Sequence, residues 1–105
     1  MIPLELQTPA ELLTGVGTRA RALRIARGWT QRELADRAGV ALETLRRFER
    51  TGQIALERLV KLAVVLDAVR PFGDLFAPPP ASTLAELERP ARPRLRAPRR
   101  KGSDA

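Results

Sequence analysis

The sequence has no cysteine, no histidine and no tyrosine. Without cysteine there is neither a disulfide framework nor a thiolate metal site. Without histidine the commonest general base and a frequent zinc ligand are missing too. Catalysis would have to rest on clustered carboxylates or on Ser and Lys, and none of these cluster. Aromatic side chains make up only 4% of the 105 residues, so a core must be built from Leu, Val, Ile and Ala. No apolar run is long: "LAVVL" at 62–66 is far too short to cross a bilayer. The opening "MIPLELQTP" has no basic segment followed by a long apolar stretch, so no secretory signal is expected. A cytoplasmic protein without membrane contact is the resulting expectation. A glycine-rich phosphate loop is missing as well, because "GVG" at 15–17 is too short and follows no strand. An enzyme is therefore the weakest functional class, and neither a cofactor nor a metal is expected.

What the chain does have is positive charge, unevenly placed. The net charge is +7. Arg89, Arg92, Arg94, Arg96, Arg99, Arg100 and Lys101, set against Asp104, give residues 89–105 a net +6 and leave +1 for the rest. Such a balance favours polyanionic partners, nucleic acid above all. The same C-terminal segment is rich in proline and poor in apolar residues, which predicts a disordered basic tail over 77–105. "APPPAS" at 77–82 forms a stiff break before it, and "TLAELE" at 83–88 has the pattern of a short amphipathic turn.

The stretch "TQRELADRAGVALETLRRFERTG" at 30–52 reads as two short helices joined by one turn. Thr30 and Glu33 form a capping box, each side chain satisfying a free backbone N–H of the other, and Trp29 and Leu34 have the spacing of a hydrophobic staple. A helix is predicted from Gln31 to Ala38, with Gly39 making a left-handed turn. Val40 plugs that turn, and small Ala35 lets the two helices approach closely. The next helix is predicted over about 42–50, Leu45 and Phe48 facing inward and Gly52 closing it.

Before this pair, a helix is predicted from about Gly17 to near Gly28. Gly15 and Gly17 weaken an earlier start. Ala20, Leu23 and Ala26 form its inward stripe, with Val16 just ahead. After the pair, "ALERLVKLAVVLDA" predicts a fourth helix with Leu56, Leu59, Val60, Ala63 and Leu66 on one face. Ala41 and Ala55 stand where capping side chains are usual. Pro71 starts a final short turn whose Phe72, Leu75 and Phe76 close the core or meet a partner, the core being favoured. The organisation expected is a lead-in over 1–16, a compact five-helix all-α domain over 17–76, and the tail.

Two helices, a glycine turn and a stripe of core residues describe a helix-turn-helix. The segments "RALRIARGWTQRELADRAGV" and "LRRFERTG" resemble the Cro/C1-type (XRE) helix-turn-helix family, over about 18–76. The resemblance implies operator DNA as partner, homodimers, and a second helix lying in the major groove. It places Gln31 beside a phosphate, with Arg32 on the same helix, and Leu42, Glu43, Thr44 and Arg47 at the groove-facing side. Arg47 suits bidentate reading of guanine, Glu43 suits the amino group of cytosine, and Leu42 suits a thymine methyl. Glu43 serves equally well as a solvated helix charge. Arg46 and Arg50 suit phosphates. The family's frequent amide side chains are missing at 42, 43 and 47. The resemblance also implies an architectural ion pair between Arg24 and Glu49.

A narrower likeness runs from "LRRFERTGQIALERLVKLAVVLDA" through "FGDLFAPPPASTLAELERPARPRLRAPRRK". It resembles HipB-like antitoxin regulators, which neighbour HipA-type kinase toxins, repress their own operon and bind the kinase. The functional expectation is a sequence-specific transcriptional repressor, an autoregulatory antitoxin of such a pair. The alternatives are a protein-interaction antitoxin acting mainly by holding its toxin, or a stand-alone phage-type repressor. Arg92, Arg94, Arg96, Arg99 and Arg100 would contact DNA or the toxin, or simply keep the chain soluble.

Overall fold

The computed structural model describes residues 2–80. Among them lie a 3-10 turn (Leu4–Leu6) and five α-helices: α1 (Pro9–Ala26), α2 (Gln31–Ala38), α3 (Leu42–Thr51), α4 (Leu56–Val65) and α5 (Arg70–Asp74). No strand occurs among the described residues. The all-helical class and the order of five helices agree with the sequence-based expectation.

The first helix corrects the expected start. Instead of a lead-in over 1–16, α1 begins at Pro9. Thr8 accepts from the Glu11 N–H at 3.1 Å, and the Glu11 carboxylate accepts from the Thr8 N–H at 2.9 Å. Pro9 occupies the first turn, where its missing N–H costs nothing. This box outweighs the two glycines, and Gly17, together with Gly52 beyond the end of α3, lets α1 dock closely on α3. A Cβ on Gly17 would lie 2.4 Å from the Phe48 carbonyl oxygen, and one on Gly52 would lie 2.0 Å from the Leu13 carbonyl oxygen. Only glycine permits so close a backbone approach.

The inward line of α1 also differs from expectation. Gly17 and Arg24 are buried and Val16 and Ala20 half-buried, whereas Leu23 and Ala26 are exposed. A charged residue therefore takes a position that an apolar stripe would assign to leucine.

Both middle helices have the predicted ends. Thr30 and Glu33 exchange hydrogen bonds of 3.0 and 2.8 Å. Gly39 adopts φ 71°, and Val40 N–H reaches back to the Ala35 carbonyl at 3.0 Å. Ala41 and Ala55 begin α3 and α4 with no side-chain cap. The core cluster joins Leu34, Ala35, Leu45, Phe48, Leu62 and Leu66, with Trp29, Val40, Leu42, Ile54 and Leu59 packed around it. α2 is central, lying against both α3 and α4, while α1 lies against α3.

The face of α4 is rotated from expectation. Leu62, Ala63 and Leu66 are buried and Leu59 half-buried, while Leu56 and Val60 are exposed. In the last turn Phe72 is half-buried, but Leu75 and Phe76 are exposed, so the expected closure of the core by all three does not occur. Trp29 is half-buried, with the Arg37 guanidinium 4.4 Å and that of Arg27 5.5 Å from its ring centre. Arg27 also donates to the Leu66 carbonyl at 3.2 Å, fastening the end of α1 to the end of α4.

Candidate nucleic-acid interface

The outer side of α3 is held in place by what lies beneath it. Leu45 and Phe48 are wholly buried and fix the rotation of the helix about its axis. Glu43, Arg46, Arg47 and Arg50 then fall outward and are exposed, with Leu42 and Thr44 half-buried at the near edge. Leu42 packs partly on the core, so only part of its surface is free for a methyl contact.

A polar network locks α1, α2 and α3 together behind this face. Arg24 Nε donates to Glu49 Oε2 at 2.8 Å and Nη2 to Oε1 at 3.0 Å. Arg24 Nη1 donates to the Trp29 carbonyl at 2.8 Å, and Gln31 Nε2 donates to Glu49 Oε1 at 3.0 Å. The side chains of Arg24 and Glu49 are only 10% and 3% exposed. A bidentate geometry with further donors is what lets a buried pair offset its desolvation. Gln31, expected at a phosphate, thus already spends one amide hydrogen inside the fold and keeps the other free.

On the surface, Arg46 Nη1 donates to Glu43 Oε2 at 2.8 Å. Both groups are well exposed, so the pair contributes little stability, but the carboxylate offsets part of the positive charge on that part of the helix. Arg47 Nη2 donates to Oε1 of Gln53, which lies just beyond the end of α3. Arg47, Gln53 and Arg58 line an open groove of about 410 Å³ between α3 and the start of α4, together with Glu43, Thr44, Ile54 and Ala55. Gln53 and Arg58 are the residues that sequence reasoning missed. Neither belongs to a motif in the sequence; only the reversal of the chain at Gly52 brings both beside Arg47.

Arg32 is exposed on α2. Arg92, Arg94, Arg96, Arg99 and Arg100, and the turn expected at 83–88, lie outside the described residues. Among the described residues no group of three or more His, Cys, Asp or Glu side chains is placed to hold a metal ion. None of their helices is long and apolar enough to cross a membrane.

A short capped helix, a left-handed glycine turn and a second helix with exposed arginines have the arrangement of a helix-turn-helix. The helix-turn-helix family model matches residues 21–72, which takes in all of α2, α3 and α4. Residues 21–72 are thus similar to helix-turn-helix proteins, a likeness that supports a DNA-binding transcription regulator. No curated protein matches the chain.

Proposed function

We propose that the chain is a sequence-specific repressor that binds operator DNA as a homodimer. In this reading α3 enters the major groove and α2 crosses the backbone. The observation that carries it is the outer face of α3: exposed Arg46, Arg47 and Arg50 on a helix whose rotation is set by wholly buried Leu45 and Phe48. Arg47 reads a guanine edge; Arg46, Arg50 and Arg32 meet phosphates. Gln31 offers its remaining amide hydrogen to a phosphate at the start of α2. Leu42, Glu43 and Thr44 complete the reading face.

Selection of duplexes from a randomised pool by the full chain tests this reading. A defined, two-fold related pair of half-sites is the expected result. Arg47→Ala should then reduce discrimination between the selected and a scrambled duplex by about 1–3 kcal/mol, the value of a bidentate base contact. Equal losses on both duplexes would demote Arg47 to a phosphate contact.

The likeness to HipB-like regulators favours an added role, that of an antitoxin holding a HipA-type kinase toxin. Inhibition of a co-expressed kinase by a variant that no longer binds DNA would establish it. Absence of any complex with such a kinase would leave a stand-alone repressor.

A further inference from the structure

We propose that Gln53 is a positioning residue for Arg47, holding its guanidinium ready for a guanine edge. The proposal rests on the DNA-binding reading above and goes beyond it by naming what aims the reading side chain.

Three features build the arrangement. The chain reverses at Gly52, with φ 82°, and that turn is pinned against α1, since a Cβ there would lie 2.0 Å from the Leu13 carbonyl oxygen. Thr51 then ties the loop to the helix: its hydroxyl donates to the Arg47 carbonyl at 2.8 Å and accepts from the Gln53 N–H at 3.1 Å. Gln53 is thereby returned alongside Arg47, and its Oε1 accepts from Arg47 Nη2. A surface arginine without such a partner samples many rotamers and loses that freedom on binding. Here part of the loss is already taken in the free protein.

The nature of the acceptor matters. Arg46 is paired with a carboxylate, Glu43, which offsets part of its charge. Arg47 is paired with a neutral amide and keeps its full charge. One Nη2 hydrogen goes to Gln53, which leaves the other Nη2 hydrogen and both on Nη1 for the O6 and N7 acceptors of guanine. Gln53 thus orients the fork without consuming it.

The test uses the full chain, a duplex that it selects from a randomised pool and a scrambled duplex of the same length. Binding of both is measured for wild type, Gln53→Ala, Gln53→Glu, Arg47→Ala and the double variant Arg47→Ala/Gln53→Ala. Gln53→Ala should lower the ratio of the two affinities roughly fivefold, the scale of one solvent-exposed hydrogen bond. Its melting temperature should be unchanged, because Gln53 is exposed. Gln53→Glu keeps the acceptor and should keep the ratio, even where its charge weakens binding to both duplexes. In the Arg47→Ala background the loss of Gln53 should change the ratio no further. An unchanged ratio in Gln53→Ala overturns the proposal. So does an equal loss with and without Arg47, which would make Gln53 a direct contact. Failure of the wild type to prefer any duplex would instead overturn the DNA-reading function, and the positioning role with it.

Discussion

Gly17 lies in the middle of α1, where glycine costs about 1 kcal/mol relative to alanine. Its neighbour in type, Gly15, lies in the same helix, yet the two face different surroundings. A Cβ on Gly15 would meet only the end of the flexible Arg19 side chain, Nη1 at 3.1 Å, whereas one on Gly17 would strike the Phe48 carbonyl oxygen. Gly17→Ala should therefore destabilise the fold by about 1–3 kcal/mol, as overpacking does, while Gly15→Ala should be neutral or stabilise by up to about 1 kcal/mol. Urea unfolding of both variants checks this, and equal shifts would remove the close-packing explanation. Glu49 argues in the same way from its partners. Glu49→Ala leaves Arg24 buried without its counter-charge and Gln31 without its acceptor, so a loss of about 3–5 kcal/mol is expected by denaturant melting. Unchanged melting in both Glu49→Ala and Arg24→Ala would show the pair to be ornamental. The family resemblance implies the Arg24–Glu49 pair. It does not imply the third donor, Gln31, because a residue read as a phosphate contact gives no sign in sequence that it also faces inward.

At the level of helices, capping chemistry separates what was legible from what was not. Thr30-x-x-Glu33 marked the start of α2 because nothing nearby argued against it. Thr8-x-x-Glu11, with Pro9 inside it, is the same signal, but Gly15 and Gly17 weigh against a helix there on propensity alone. Tertiary packing reversed that weight. α4 was ambiguous for another reason. Between Leu56 and Leu66 nearly every position except Glu57, Arg58 and Lys61 is apolar, so periodicity cannot choose among adjacent stripes, and contact with α2 selects Leu59, Leu62, Ala63 and Leu66 instead of the line through Leu56 and Val60. The start of α4 also carries a prediction. Ala55 has φ −69° and ψ 141°, the backbone of a capping residue, but offers no acceptor. Ala55→Ser should stabilise the domain by about 1 kcal/mol through a new bond to a first-turn N–H. A thermal midpoint that does not rise would mean that those amides are already satisfied by solvent at no net cost.

For the whole molecule, charge is the property that the helices alone do not explain. Residues 1–88 carry a net +1, and 89–105 carry +6. A nearly neutral domain with a few aimed arginines suits discrimination between sequences, since base contacts specify while phosphate contacts only position. General attraction to a polyanion must then come mainly from the C-terminal segment. Each phosphate neutralised by a cationic side chain releases condensed counterions and adds roughly 0.9 to the slope of log K against log salt. Comparing the full chain with residues 1–88 on one selected duplex, at several salt concentrations, isolates this term. Loss of 89–105 should weaken binding at low salt, flatten the slope by several units and leave the preference for the selected over the scrambled duplex unchanged. The two curves should converge as salt rises, because screening removes what the segment contributes while the contacts of α3 persist. Were the segment instead to grip an acidic face of a protein partner, both chains would show the same slope on DNA, and the difference between them would emerge only in binding that partner.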